Sequence, residues 1–389
     1  MELDAETSAR VHKMKKKILY LFSDTGGGHR SAAAALIKTV EEMKKSDPPV
    51  QEMVDVFAEC SGFLNALAKL YAPVIKYSPK MWGMLYYWFN DMKKVQQMEK
   101  LARPFLEKEL SRLISRRKPD LIVSVHPLLN HITIRSMKKA GHVVPLITVV
   151  TDPVSLHRAW VCPDADLIIV ATEEAERACI KYGGDPKKIR LIGLPIDPKF
   201  TKSSKDKRSL RRDMGIREDL FTVLLMGGGE GGGNMKKIVR FIAQERPSIQ
   251  LVVIAGRNEK LKKDLEKTAF LMPFPVKVFG FTNEVPDIMS ASDLVITKAG
   301  PGSIAEALAK ELPVIITSWL PGQEEGNVKY VVDSGVGVVC DDLKKIGDRV
   351  KEFLKPSFHS SFRKNIRRIN NPKAVFSIAQ ILISKAYGS

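Results

Sequence analysis

Short runs of uninterrupted apolar residues recur along the chain, separated by glycine turns and by stretches of helical periodicity. Residues 18–23 (ILYLFS) are the first such run. A short run without polar alternation marks a strand covered on both faces, as in a parallel sheet. The turn Thr25-Gly26-Gly27-Gly28 follows, and the alanine-rich residues 31–45 read as a helix. Strand, glycine loop and helix open a βα unit. Further strands are expected at 121–125, 146–150, 167–171 and 189–192. A second series is expected at 221–226, 249–255, 276–279, 294–297, 314–317 and 336–340, with a last apolar helix over 372–386. Strands alternating with helices predict an α/β fold with parallel sheets.

The two series are joined by residues 199–212 (KFTKSSKDKRSLRR), polar, basic and poor in apolar positions, which read as a linker. A chain of 389 residues suits two domains. The expected division is residues 1–200, a Rossmann-like domain facing acceptor and membrane, then 201–365, a Rossmann-like donor domain. Residues 366–389 form a closing helix, expected to pack back toward the first domain. Two doubly wound domains facing across a cleft bind ligands at the carboxyl ends of their strands. The first carries an aromatic insertion at about 63–90, broken by Pro73 and Pro79. It is either core or an amphipathic segment whose rings, Tyr71, Tyr77, Trp82, Tyr86 and Trp88 among them, meet a lipid interface beside Lys69, Lys76 and Lys80.

Charge sharpens this picture. Net charge is +18, with basic patches at 13–17, 112–118, 205–212 and 363–368. Such a surface attracts polyanions, either an anionic membrane or nucleic acid. No nucleic-acid module is recognisable, so no nucleic-acid partner is expected. The N-terminal stretch MELDAETSARVHKMKKK has no apolar signal core, and no run approaches a membrane span. The expected location is therefore the cytoplasmic face of a membrane, bound peripherally. The four cysteines are widely spaced, which argues against a zinc site or a disulfide framework.

Candidate chemistry sits in the loops after the strands. Three are rich in glycine: residues 24–29, residues 227–233, and Lys298-Ala299-Gly300-Pro301-Gly302-Ser303, which opens the helix holding Glu306. Glycines at Gly28, Gly228, Gly229, Gly300 and Gly302 let backbone N–H groups approach an anion, and a helix N-terminus adds partial positive charge, so a diphosphate is the natural guest. None of the loops matches a P-loop or a nicotinamide fingerprint. His29, after the first loop, is a candidate general base. Asp24 either orients it or caps a turn. Glu306 lies one turn into its helix, as a ribose ligand or a solvated helix glutamate. The loop Pro321 to Asn327 offers Gln323, Glu324 and Asn327, a donor–acceptor mix suited to a hexose or to a polar turn. His126 and Asp152 end neighbouring strands and either line an acceptor pocket or serve structure. Asp164 and Asp166 precede a strand, so they are rejected as a metal pair.

Residues 23–29 (SDTGGGH), 297–306 (TKAGPGSIAE) and 321–328 (PGQEEGNV) together resemble the monogalactosyldiacylglycerol synthase family, and 70–87 resembles its acceptor-side region. The likeness covers roughly residues 17–350. The wider group includes bacterial diacylglycerol glucosyltransferases and the peptidoglycan lipid-linked N-acetylglucosaminyltransferase. The resemblance implies a GT-B fold, a UDP-sugar donor, diacylglycerol as acceptor and inversion at the anomeric carbon. It implies His29 as base, Gly300 to Ser303 on the diphosphate, Glu306 on the ribose, and Phe281 and Val285 flanking uracil. Gln323 and Glu324 fall on the donor hexose, with Glu324 joining His29 in the catalytic set. No metal or other cofactor is expected; the UDP-sugar is a substrate. Plant members of the family carry a transit peptide, which this chain's acidic and lysine-mixed start does not resemble. UDP-glucose in place of UDP-galactose is the nearest alternative, and a UDP-sugar epimerase or a nucleic-acid-binding protein the more distant ones.

Overall fold

A computed structural model of the chain describes residues 15–24, 27–70, 73, 74, 78–202, 205–229, 231, 232 and 234–388. Two six-stranded sheets, all parallel, form the frame. The first has the order β2-β1-β3-β4-β5-β6, from β1 (Lys17–Phe22), β2 (Val50–Asp55), β3 (Leu121–Ser124), β4 (Leu146–Val149), β5 (Leu167–Val170) and β6 (Ile189–Leu191). The second has the order β12-β11-β10-β7-β8-β9, from β7 (Phe221–Met226), β8 (Ile249–Ile254), β9 (Val276–Phe279), β10 (Leu294–Lys298), β11 (Val314–Ser318) and β12 (Gly337–Val339). Strand order reverses beside β1 in one sheet and beside β7 in the other, which opens a crevice at the carboxyl ends of those strands.

The helices of the first half are α1 (Gly28–Met43), α2 (Val56–Cys60), α3 (Gly62–Lys69), α4 (Pro79–Phe89), α5 (Met92–Arg117), α6 (Asn130–Ala140) and α7 (Glu173–Lys181). Those that follow are α8 (Lys207–Asp213), α9 (Met235–Gln244), α10 (Glu259–Ala269), α11 (Val285–Ala291), α12 (Pro301–Ala309), α13 (Glu325–Asp333), α14 (Ile346–Phe353), α15 (Pro356–Ile369) and α16 (Ala374–Tyr387). Each sheet is covered on both faces by its own apolar cluster. That double cover is why the central strands read as unbroken apolar runs. No described helix is long and apolar enough to cross a membrane.

Three features depart from the sequence reading. The edge strand β2 was not expected; its exposed and half-buried positions, including Gln51 and Glu52, break the apolar run. The segment read as a linker folds at α8 and joins the second domain. There Arg211 is buried, with Nη2 donating to Asp293 Oδ2 at 2.6 Å and Nε to the Ala291 carbonyl at 2.9 Å. Lys207 Nζ donates to the other Asp293 oxygen at 2.7 Å. Part of the 205–212 basic patch is thus internal ion pairing, which is what allows a guanidinium to be buried. Likewise Arg363 and Arg367 both bond Glu311 at 2.8 Å.

The chain leaves the first sheet after β6 and later returns to it. Helix α16 inserts Val375, Ile378 and Leu382 among Ile18, Tyr20, Leu36 and Val123 of the first domain's core. The outgoing and returning segments touch where Asn371 Nδ2 donates to the Ile192 carbonyl at 2.8 Å.

Candidate functional site

The first rim of the crevice is built from the ends of β1, β3 and β4. Helix α1 starts at Gly28 after Gly27, whose φ of 21° is rare for a residue with a side chain, and no side chain caps it. His29, half-buried in the first turn, is held at Nδ1 by Thr151 Oγ1 at 2.9 Å. Its ring stands edge-on to His126 with centroids 4.7 Å apart, and lies 6.0 Å from Trp160. Trp160 Nε1–H donates to Asp152 Oδ2 at 2.7 Å. His29, His126 and Asp152, 123 residues apart in sequence from first to last, are thus brought into one cluster. Asp24 accepts from Arg30 Nη2 at 3.0 Å, so the imidazole is oriented by Thr151 and the Val125 backbone instead.

Burial sets the electrostatics of this rim. It pushes His29 down to about 4, against the opposing pull of the Val125 backbone and the Asp24 carboxylate. It also drives His126 well below the usual histidine range, with His29 adding to the effect. Asp152 is pushed up to about 6 by burial, offset by the Trp160 bond and reinforced by the Glu324 carboxylate across the crevice. The rim therefore holds neutral imidazoles at neutral pH, able to accept a proton.

The second rim is built from backbone. The loop after β7 folds against the loop after β8: Gly231 has φ 61°, and a Cβ there would collide with the Ala255 carbonyl. Arg257 N donates to the Gly229 carbonyl at 2.8 Å, and its guanidinium lies 4.7 Å over the exposed Phe281 ring; Val285 opens α11 four residues on. Helix α12 begins after Gly300 with no side-chain cap. Pro301 at its first position has no N–H, so the amides of Gly302 and Ser303 are the helix's open donors. A Cβ on Gly302 would meet nothing within 4 Å, so the protein's own packing does not require glycine there. Lys298 reaches between two glycine loops, its Cε 3.4 Å from a Cβ built on Gly228 and 3.7 Å from one on Gly300. One turn into α12, Glu306 is pushed up to about 8 by burial and by the nearby Asp197 carboxylate.

The third element of that rim is the loop after β11. Glu324 is buried, and Oε2 accepts from Leu320 N–H at 2.8 Å. Burial raises it above the usual carboxylate range, while Lys298 and the Leu320 bond draw it down. Asn327 Nδ2 donates to the Ala299 carbonyl at 3.0 Å, tying this loop to the Lys298 loop. Three buried side-chain atoms lack a partner among the described residues: Ser23 Oγ, Thr297 Oγ1 and Asn327 Oδ1. Ser23 follows β1, Thr297 lies near the end of β10 and Asn327 in the first turn of α13.

The aromatic insertion divides its residues. Trp88 is 54% exposed and carries Lys94 Nζ 4.0 Å over its ring; Met84 is 67% exposed. Tyr86, expected among the lipid- and acceptor-facing rings, is instead 9% exposed, and its hydroxyl donates to the Ser155 carbonyl at 2.7 Å. It is shut between the domains and cannot meet a bilayer. Trp82 turns inward too, donating to Gln323 Oε1 at 3.2 Å. Tyr71 and Tyr77 lie outside the described residues. Thr151, Trp160 and Lys298 were not singled out from sequence. Their signals were adjacency to Asp152, a tryptophan shortly after it, and a lysine inside the third glycine motif.

Comparison with known proteins returns the same two halves. Residues 29–196 match the family model for monogalactosyldiacylglycerol (MGDG) synthase, and residues 222–380 that for the glycosyltransferase family 28 C-terminal domain. The chloroplastic monogalactosyldiacylglycerol synthase of Spinacia oleracea is 35% identical over 379 residues, spanning 94% of this chain and 72% of its own. Among solved structures, MurG of Acinetobacter baumannii superposes with a TM-score of 0.61 at 11% identity over 95% of this chain and 99% of its own. The S. aureus MnaA–UDP structure gives 0.60 at 16% identity, covering 95% and 96%. These likenesses assign the paired doubly wound domains to the GT-B fold, as the sequence predicts.

Proposed function

The chain belongs to the monogalactosyldiacylglycerol synthase family, and from that premise we propose that it transfers galactose from UDP-galactose to the free hydroxyl of 1,2-diacylglycerol at a membrane surface, with inversion. The observation that carries the reading is the meeting of two rims, with the His29–Asp152 cluster on one side and the Lys298–Glu324 loops on the other.

In this reading the second rim holds the donor. Amides of Gly302 and Ser303 meet the diphosphate, with Gly228 and Gly229 opposite and Lys298 supplying a positive charge. Glu306 hydrogen-bonds the ribose hydroxyls, Phe281 and Val285 flank the uracil, and Gln323 and Glu324 receive the hexose. Asn327 keeps the two loops in register. The first rim receives the acceptor between His29, His126 and Asp152. Neutral His29, held at Nδ1 by Thr151, supplies the basic ring nitrogen. The acceptor oxygen forms its bond to the anomeric carbon while the bond from that carbon to the UDP oxygen breaks. The proton passes to the His29 imidazole and the electron pair leaves with UDP. Asp24 favours the imidazolium as it forms. The leaving charge falls on amides and Lys298, fixed donors that need no reorganisation, and no metal ion is given a part.

Exposed apolar side chains on three adjoining helices, Phe63 and Leu67 on α3, Met84 and Trp88 on α4, Leu101 and Phe105 on α5, suit a lipid interface. Peripheral seating on an anionic leaflet, driven by this face and the net charge of +18, accounts for access to a lipid acceptor. The test is a donor-by-acceptor assay with the product identified by mass and anomeric configuration. Transfer of galactose to diacylglycerol with a β linkage is expected. Preferred turnover of UDP-glucose would move the donor assignment, and epimerisation of a UDP-sugar without any acceptor would replace the reading.

A further inference from the structure

Helix α4 belongs to the first domain, yet its inner face lies on the loop between β11 and α13 of the second. The approach is close because both backbones are bare at the contact. A Cβ on Gly83 would stand 2.7 Å from Pro321 Cβ, and one on Gly322, whose φ is 78°, would stand 2.8 Å from the Tyr86 ring. Polar contacts lock the same surface. Trp82 Nε1–H donates to Gln323 Oε1 at 3.2 Å, the Tyr87 hydroxyl donates to Glu325 Oε2, and Gly326 N–H donates to Ser155 Oγ at 2.9 Å. The outer face of α4 carries the exposed Met84, Leu85 and Trp88.

An indole N–H can only donate, whereas a glutamine side chain offers an oxygen from one end and an NH2 from the other. Trp82 therefore selects one of the two flip states of Gln323: oxygen toward the indole, NH2 turned away. Resting on the assignment of residues 321–327 to the hexose, we propose that Trp82 is a positioning residue, which fixes the face Gln323 presents to the donor sugar and ties that loop to the membrane-facing helix. Seating α4 on lipid and binding the donor hexose then stabilise the same contacts. By linkage each favours the other to the same degree.

The experiment is calorimetry of UDP and of UDP-galactose binding, with and without phosphatidylcholine–phosphatidylserine vesicles that contain no diacylglycerol. For the native chain, vesicles are expected to tighten UDP-galactose and leave UDP unchanged. In Trp82→Phe, UDP affinity stays native and UDP-galactose weakens by about 2- to 10-fold, the worth of one hydrogen bond. The vesicle effect on the sugar is lost as well. Tyr87→Phe reduces the vesicle effect in the same direction and decides the matter if Trp82→Phe loses UDP binding through misfolding. Native vesicle response and native sugar affinity in both variants, with UDP still bound, overturn the proposal. A native chain that binds no uridine diphosphate compound would instead remove the donor assignment beneath it.

Discussion

The two sheets share one plan, and the rims they raise over the crevice differ in kind. The first is made of side chains: two imidazoles that burial keeps neutral, an indole, and a carboxyl group whose proton burial holds to about 6. The second is made of main chain: glycine loops, an uncapped helix start, and one lysine threaded between them. Moving a proton needs a group whose charge can change, so its surroundings must tune that charge. Receiving a leaving diphosphate needs donors that do not change at all, and backbone amides meet that need. A common topology thus supplies two positions, and local composition decides which chemistry each suits.

If the rims are separable, damage to one leaves the other intact. His29→Ala is expected to lower turnover by about 10²- to 10⁴-fold, the usual worth of general base catalysis, with UDP affinity by calorimetry unchanged. Full turnover would take the base role away from His29. Lys298→Ala is expected to weaken UDP binding by about 10- to 100-fold, the range for a charged hydrogen bond, with partial recovery in Lys298→Arg. Gly302→Ala is subtler. The added methyl meets no protein atom and improves helix propensity, so the melting temperature should hold or rise, while UDP affinity drops by roughly 10-fold. Unchanged affinity would move the diphosphate away from the start of α12.

The smallest effect separates the rims by sign. Glu306 holds its proton to about 8 when folded and only to about 4.5 when unfolded, so the folded state binds more protons in that window. Its contribution to stability is fully present below the window and fades as pH rises through it. His29 behaves oppositely. It binds its proton less well folded, at about 4 against 6.5, so its contribution is lost as pH falls through that range. Between about pH 4.5 and 8, Glu306→Gln should lose the fall in melting temperature that rising pH brings, and between about pH 4 and 6.5 His29→Ala should lose the fall that lower pH brings. Identical profiles in both variants would deny that the rims are electrostatically distinct.

What could be read in advance follows from how locally each feature is determined. Central strands announce themselves because cover on both faces demands an unbroken apolar run, and glycine loops announce themselves by composition. Helix α8 did not, since burying Arg211 depends on Asp293, 82 residues away. Thr151 was equally silent: its hydroxyl gains meaning only when a strand end brings it to His29, 122 residues distant. The aromatic insertion was visible as a cluster, but which rings are exposed and which face the other domain is set by the tertiary meeting of Gly83 with Pro321 and of Tyr86 with Gly322. Composition identified the segment, and packing sorted its residues.

Helix α16 gives the chain an unusual dependence on its own far end. The core between the first sheet and α1 is completed by residues that follow the whole second sheet, so the early half cannot complete its core until the later half has been made. Residues 15–202 expressed alone should collect as aggregates or a loosely packed species. Adding a synthetic peptide of residues 370–388 should restore a cooperative melt. Ile378→Asp in the full chain would damage a domain whose other residues lie more than a hundred positions upstream.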